Sequence, residues 1–330
     1  MTPDSLTLSA EWDKTFPLSE AFVHEKIQFS TGYGTVLAAD LYAPKGATSP
    51  LPTLAVSGPF GAVKEQASGL YAQTMAERGF LVLAFDPSFT GESSGTPRYT
   101  ASPDINTEDF LSAVDYLTTR QDVDADRIGV IGICGWGGIA LNAAAAAPRI
   151  RATLASTMYD MTRVAGNGYF DSADDAATRN EARKALAAAR TRIAATGERP
   201  RVGGVVDPLP EDAPFFVKDY FDYYKTERGF HPRSLNSTDG WTVTGTQAYA
   251  NARFLHYIDE IENAVMILHG EKAHSRYMGE TAFEKLAGGV NPDNKELVIV
   301  PGASHTDLYD GGATGAIPWE RVAEFFQSNL

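Results

Sequence analysis

The chain of 330 residues contains a single cysteine, Cys134, so no internal disulfide can form. Basic residues are also scarce. Lys and Arg number 28 against 42 Asp and Glu, a formal net charge of -14. That balance argues against nucleic acid or an anionic membrane as the main partner, because phosphates would be repelled. There is no run of about 18 apolar residues, which excludes a membrane-crossing helix. The opening "MTPDSLTLSAEWDK" has neither a basic nor an apolar signal-peptide region, so the cytoplasm is the expected compartment. "DPSFTGESSG" is glycine-rich but lacks the Gly-Lys-Ser/Thr of a phosphate cradle. In "HGEKAH", His269 and His274 stand five apart, a poor fit to one helical face. No metal or other cofactor is expected.

What is present is an ordinary globular composition, 43% hydrophobic and 21% charged. "LPTLAVSGPF", "GFLVLAFDPS", "RIGVIGI", "ATLASTMYD", "NAVMILHGE" and "KELVIVPGA" read as short buried strands. Helical patterns alternate with them near 64–78, 107–120, from 137, and near 277–286 and 318–328. This predicts an α/β fold: a mostly parallel sheet with helices on both faces. "AFVHEKIQFS" and "GTVLAADLYAP", joined by "TGYG", predict an antiparallel edge. Residues 1–20 form a leader, and 21–160 with 260–330 the core. The stretch 161–259 is too long for a plain loop and reads as a mainly helical cap insertion over the strand ends. Its Ala/Arg/Glu-rich half would serve equally as a homodimerisation element. Its aromatic half (Phe215, Phe216, Tyr220, Tyr223, Tyr224) favours a pocket wall.

Catalytic groups in such sheets gather at the carboxyl ends of the strands. "GICGWGG" reads there as a strand turning sharply into a helix, with the pattern small–any–nucleophile–any–small. Two registers fit. One centres on Cys134, with Trp136 as a misfit in a small position; the other puts the unreactive Trp136 indole at the centre. Only the first can do covalent chemistry, and a helix N-terminus beneath Cys134 favours its thiolate. An outward indole leaves the bend intact, whereas an inward one is expected to distort the strand–helix packing.

"VIVPGASHTDLYD" places His305 just past the last strand, where a general base can reach the bend. An orienting carboxylate is expected three residues beyond Gly270, but that position is Ala273. Glu271 is the first candidate acid and Asp160, in "STMYDM", the second. The N–H groups of Gly135 and Phe60 are the expected oxyanion donors; Pro59, before Phe60, has none. Trp136, Tyr159, His274, Phe216, Tyr220 and Tyr224 are the expected substrate contacts. Ser275 either lines the pocket or caps the following helix.

On "GPFGAVKEQ", "AFDPSFTGES", "GICGWGG", "STMYDM", "RGFHPRS", "GEKAHSRY" and "PGASHTDLYD", the chain resembles the α/β-hydrolase superfamily. Within it the chain is similar to a bacterial branch related to dienelactone-hydrolase-like and polyketide-transferase-like proteins. The resemblance spans roughly residues 20–325 and implies an α/β-hydrolase fold with nucleophile, acid and histidine in that order. Dienelactone hydrolases pair a cysteine at the bend with histidine and aspartate. Cys134 and His305 match two of these roles, and Ala273 and Trp136 depart from the pattern. The expected activity is cleavage of a small, moderately apolar ester, thioester or lactone through an acyl-cysteine. Acyl transfer at the same site, or a non-catalytic binding protein with Trp136 filling the pocket, are the alternatives.

Overall fold

The Val-, Ile- and Leu-rich runs form the strands in the computed structural model, which describes residues 6–48 and 50–330. In chain order they are β1 (Phe22–Ser30), β2 (Val36–Pro44), β3 (Leu51–Ser57), β4 (Leu81–Phe85), β5 (Val123–Ile133) and β6 (Ile150–Ser156). Then follow the two-residue strands β7 (Arg201–Val202) and β8 (Trp241–Thr242), and finally β9 (Ala264–Gly270) and β10 (Lys295–Val300). Eight of them make one sheet, in the order β1-β2-β4-β3-β5-β6-β9-β10. From β4 to β10 every pairing is parallel; β2 runs antiparallel to both β1 and β4. The antiparallel edge follows from the short "TGYG" turn, where Gly34 takes a left-handed φ of 81°.

The helices are α1 (Ala67–Ala76), α2 (Pro103–Thr118), α3 (Gly135–Ala146), α4 (Met161–Asn167), α5 (Ala176–Thr196), α6 (Phe215–Lys225), α7 (Arg276–Ala287), α8 (Asp307–Asp310) and α9 (Trp319–Asn329). One apolar layer joins the sheet to α2, α3 and α7, through side chains such as Phe110, Ile139 and Leu286. The other joins it to α1 and α9, through Tyr71, Met75 and Phe326. Coverage on both faces explains why β5 from Ile128 to Ile133 is wholly buried and reads as an unbroken apolar run. This is the α/β-hydrolase arrangement. Among the described residues, no helix is long and apolar enough to cross a membrane.

Residues 157–263 lie between adjacent strands β6 and β9. Their first part is helical, but after α6 the chain is mostly turns and short 3₁₀ segments, so the expected mainly helical character holds only for the first part. Helix α5 stands almost entirely in solvent, with Ala189 its one buried residue. The first five residues of the leader lie outside the described residues. Its later part packs on the body: Phe16 is buried and the Thr15 N–H donates to the Glu65 carbonyl at 2.9 Å.

Candidate active site

The bend after β5 forms with Cys134 at its apex. Cys134 has φ 58° and ψ -125°, a conformation that costs free energy for a side-chain-bearing residue and persists only when its surroundings hold it. They do so through the backbone. The Cys134 N–H donates to the Ser156 carbonyl, and the Cys134 carbonyl accepts from the Gly137 and Tyr159 N–H groups, all at 2.9 Å. Gly132 is needed two residues before the apex, since a Cβ there would overlap the Trp136 carbonyl.

Trp136 corrects the expectation made for it. Its indole points inward, 1% exposed, and meets Phe85 and Phe110 edge-on at centroid distances of 5.6 and 5.2 Å. The bend is nevertheless undistorted. Space is made on the neighbouring strand end, where a side chain at Gly58 would run into the Ile133 carbonyl and the Trp136 Cβ. The indole is therefore core and does not line the cavity, so Trp136 is not a substrate contact.

The cavity lies on the opposite side of the bend, has a volume of about 580 Å³, and opens onto Cys134. Tyr159, Phe216, Tyr220 and Tyr224 line it as expected, together with Phe60, Met161, Tyr169, Trp241 and Tyr309. Phe215 instead turns to solvent at 59% exposure. Tyr223 sits behind the wall, edge-on to Tyr309 at 4.9 Å. His274 stacks on Phe216 at 4.5 Å and bonds the Tyr159 hydroxyl, bracing the wall from outside.

The Phe60 and Gly135 N–H groups lie near Cys134 and favour its thiolate. The Phe60 loop is fixed from the 157–263 segment: the Asn236 side chain donates to the Phe60 carbonyl at 2.8 Å, and the Leu235 N–H to that of Gly61 at 2.8 Å. Phe60 itself stacks on Trp241 at 4.5 Å. Two backbone N–H donors thus lie beside Cys134, the kind of groups that can hold an oxyanion.

His305 is fully buried in the loop after β10. Its Nδ1 lies 2.8 Å from both the Thr157 and the Ser275 hydroxyls, and its Nε2 lies 2.9 Å from the Tyr309 hydroxyl. Neither expected acid bonds it. Glu271 is exposed, and its carboxylate accepts from the Gly302 N–H at 2.7 Å. Asp160 caps α4, accepting from the Thr162 and Arg163 N–H groups at 2.9 and 3.1 Å. The loops after β6 and β9, where an acid is expected, do reach His305, but each delivers a hydroxyl. Ser275 stands at the N-cap of α7 without capping it, since its oxygen faces the imidazole. Ser275 is a pocket or cap candidate in the sequence, whereas Thr157 and Tyr309 carry no signal of their own.

This environment keeps both reacting groups neutral. Burial pushes the Cys134 thiol up, against Tyr309, Gly135, Phe60 and Tyr220, whose hydrogen bonds favour the thiolate. Burial holds His305 well below its ordinary 6.5, with His274 and His269 adding to the effect. His274 and His269 are themselves pushed down to about 4 and about 3, first by burial. A histidine depressed this way stays a competent base as pH falls through 6.5, and a raised thiol stays protonated as pH rises past 8. Any acyl turnover at Cys134 should therefore be level between about pH 6 and 8. A pH profile of kcat/KM falling with a midpoint near 6.5 would contradict this.

A second polar cluster lies beside the Phe60 loop. Ligand atoms of Glu65, Asp86 and Glu92 lie within 4.8 Å of one another, close enough to hold a cation. The Lys64 ammonium already bonds all three, at 2.7, 2.9 and 2.6 Å.

Comparison with known proteins agrees with this architecture. The family described as X-Pro dipeptidyl-peptidase (S15 family) matches residues 33–307. The uncharacterised protein PA2218 of Pseudomonas aeruginosa is 52% identical over 327 residues, 98% of this chain and 86% of that protein. Its crystal structure has a TM-score of 0.93 at 51% identity, covering 99% of both chains. Thiohydrolase aneE of Aspergillus aculeatus is 32% identical over 133 residues, 40% of this chain and 41% of its own. The α/β hydrolase GrgF of Penicillium sp. sh18 shares the fold, with a TM-score of 0.74 at 22% identity over 93% of this chain and 99% of that one.

Proposed function

The chain belongs to the X-Pro dipeptidyl-peptidase (S15) family of α/β-hydrolase enzymes, and from that premise we propose that it cleaves a carboxylic ester, thioester or lactone through an acyl-Cys134 intermediate. The observation that carries this reading is the convergence at Cys134: a strained bend, two backbone N–H donors and an apolar cavity meet at one sulfur. The Cys134 sulfur attacks the acyl carbonyl, and the thiol proton passes to His305. Gly135 and Phe60 N–H groups hold the oxyanion as it forms. Collapse breaks the bond to the alkoxide or thiolate leaving group, which takes the proton from His305-H⁺. Water then attacks the acyl-cysteine, its proton passing toward His305; the acyl–sulfur bond breaks, the acid leaves, and the Cys134 thiolate takes the proton back.

Segment 161–259 acts as the cap in this reading, supplying Tyr169, Phe216, Tyr220, Tyr224 and Trp241 to the acyl site. Among the described residues no carboxylate lines the cavity, so nothing there would pair with the free ammonium of a peptide N-terminus. That favours an uncharged acyl group over a dipeptide. Acyl transfer to an alcohol or amine is a second reading, favoured by the 6% exposure of Cys134, which limits water at the intermediate. The non-catalytic alternative loses its basis, because Trp136 does not fill the cavity.

Rates with p-nitrophenyl esters from acetyl to hexanoyl test the acyl site. At about 0.8 kcal/mol per buried methylene, kcat/KM should climb at least about 10-fold over the series. A flat or falling profile would remove the aromatic cavity as the acyl site. Added butanol divides the two readings: butyl ester product marks transfer, and free acid alone marks hydrolysis.

A further inference from the structure

His305 and Cys134 face each other across a phenol. His305 lies in the loop two residues before α8 begins, and on α8 stands Tyr309. Its hydroxyl lies 2.9 Å from His305 Nε2, the nitrogen that a base would use toward the thiol. Tyr309 and Cys134 border the same cavity, and the phenol favours the Cys134 thiolate. The His305 ring is absent from the cavity lining, and its other nitrogen is taken up by Thr157 and Ser275. Among the described residues no hydrogen bond joins His305 directly to Cys134, and its Nε2 is bonded to Tyr309.

The Tyr309 ring is held firmly. It is fully buried, edge-on to Tyr223 at 4.9 Å and to Tyr224 at 6.1 Å. The α8 loop is clamped from two sides. The Arg228 guanidinium makes paired bonds of 2.8 Å to the Asp310 carboxylate, and Asp219 accepts from the Thr306 N–H at 3.1 Å and from the Thr306 hydroxyl at 2.7 Å. A phenol pinned in this way cannot easily swing aside to let imidazole and thiol meet. A phenol is also suited to the alternative, since one oxygen can accept one proton while giving up another.

We propose that Tyr309 is a catalytic residue that relays the proton between Cys134 and His305. This rests on the acyl-Cys134 reading above. As the sulfur attacks the acyl carbonyl, the thiol proton passes to the Tyr309 oxygen while the phenolic proton passes to His305 Nε2. Tyr309 ends as it began, neutral; the sulfur gains a bond to the acyl carbon and the imidazole gains one proton. The same path run in reverse would carry a proton from the imidazolium toward the sulfur end of the site.

Tyr309→Phe removes the oxygen and leaves the ring, so thermal melting should stay within a few degrees of the wild type. Its single-turnover acylation rate by p-nitrophenyl butyrate should fall about 100-fold, the scale of one lost acid–base step, with little change in the substrate concentration at half-saturation. A structural role would not move a second readout, the rate in H₂O/D₂O mixtures. Two protons in flight predict a curved dependence on deuterium fraction for the wild type and a straight line for Tyr309→Phe. If the variant does not fold, the wild-type curve decides alone: curvature supports the relay and a straight line overturns it. An unchanged or faster rate in a folded Tyr309→Phe also overturns it, the faster rate marking the phenol as an obstruction. If Cys134→Ala and His305→Ala are inactive in that case, only the relay fails. If those two variants keep the wild-type acylation rate, the acyl-Cys134 reading fails and the relay with it.

Discussion

Cys134→Ala and His305→Ala should each lower acyl turnover about 10⁴-fold or more, and the double variant should be no worse than either. Non-additivity is the informative part. Nucleophile and base serve one step, so once either is gone the other has nothing to act on. Both side chains are buried, but Cys134→Ala deletes only a sulfur and should leave the fold intact. His305→Ala abandons three hydroxyls at hydrogen-bond distance, so some loss of stability should accompany it. Ester turnover with urea melts on each variant separates the two effects. Losses that add in the double variant would mean that the residues do not act in one step.

The largest stability effect is expected at Lys64. Its ammonium is fully buried among Glu65, Asp86 and Glu92. Around it, Lys26 lies 3.4 Å from Glu65, Arg233 lies 2.9 Å from Glu65 and 2.8 Å from Asp13, and Lys14 pairs with Asp40. The Lys64 charge holds the Glu65 carboxyl down to about 2 against burial. Asp86, the deepest of the three, is instead pushed up by burial. Lys64→Met keeps much of the stem and removes the charge, leaving three carboxylates facing one another without their shared cation. Removing one partner of a buried ion pair costs about 3–5 kcal/mol, and that loss is expected in urea denaturation at pH 7. The sign with pH is fixed. Without the ammonium, carboxylate pKa values rise, the folded state binds protons more readily, and the gap from wild type narrows as pH falls toward 5. A Lys64→Met protein as stable as wild type at pH 7 would show that Lys26 and Arg233 suffice to hold the three carboxylates.

This network also explains why the 157–263 segment sits where it does. Arg233, in "RGFHPRS", reaches from it to Glu65 on the β3–α1 loop that carries Phe60. Arg228, in the same stretch, reaches the α8 loop that carries His305 and Tyr309. One segment thus fixes both the Phe60 loop and the loop that carries His305.

Sequence patterning was most informative where burial is periodic. The run from Arg127 to Ala147 displays strand, bend and helix because both sheet faces are covered and the bend needs Gly132. His305 was legible because a strand end and a turn bracket it. The orienting groups were not, since Thr157 and Ser275 are common hydroxyl residues whose role exists only once the loops after β6 and β9 converge. Glu271 and Asp160 stand near those places in the chain, yet one points to the Gly302 amide and the other caps a helix. Trp136 misled for a related reason. The room for its Cβ and for the bend backbone comes from Gly58, 78 positions earlier, a compensation that local pattern cannot display.

The central claim, covalent chemistry at Cys134, is tested most directly by acid-quenching the protein within its first turnover of p-nitrophenyl butyrate and mapping peptide masses. The account predicts one butyryl group on the peptide containing Cys134, absent in Cys134→Ala. Turnover at the wild-type rate with no acyl group on that peptide, or with the group on another residue, would contradict it.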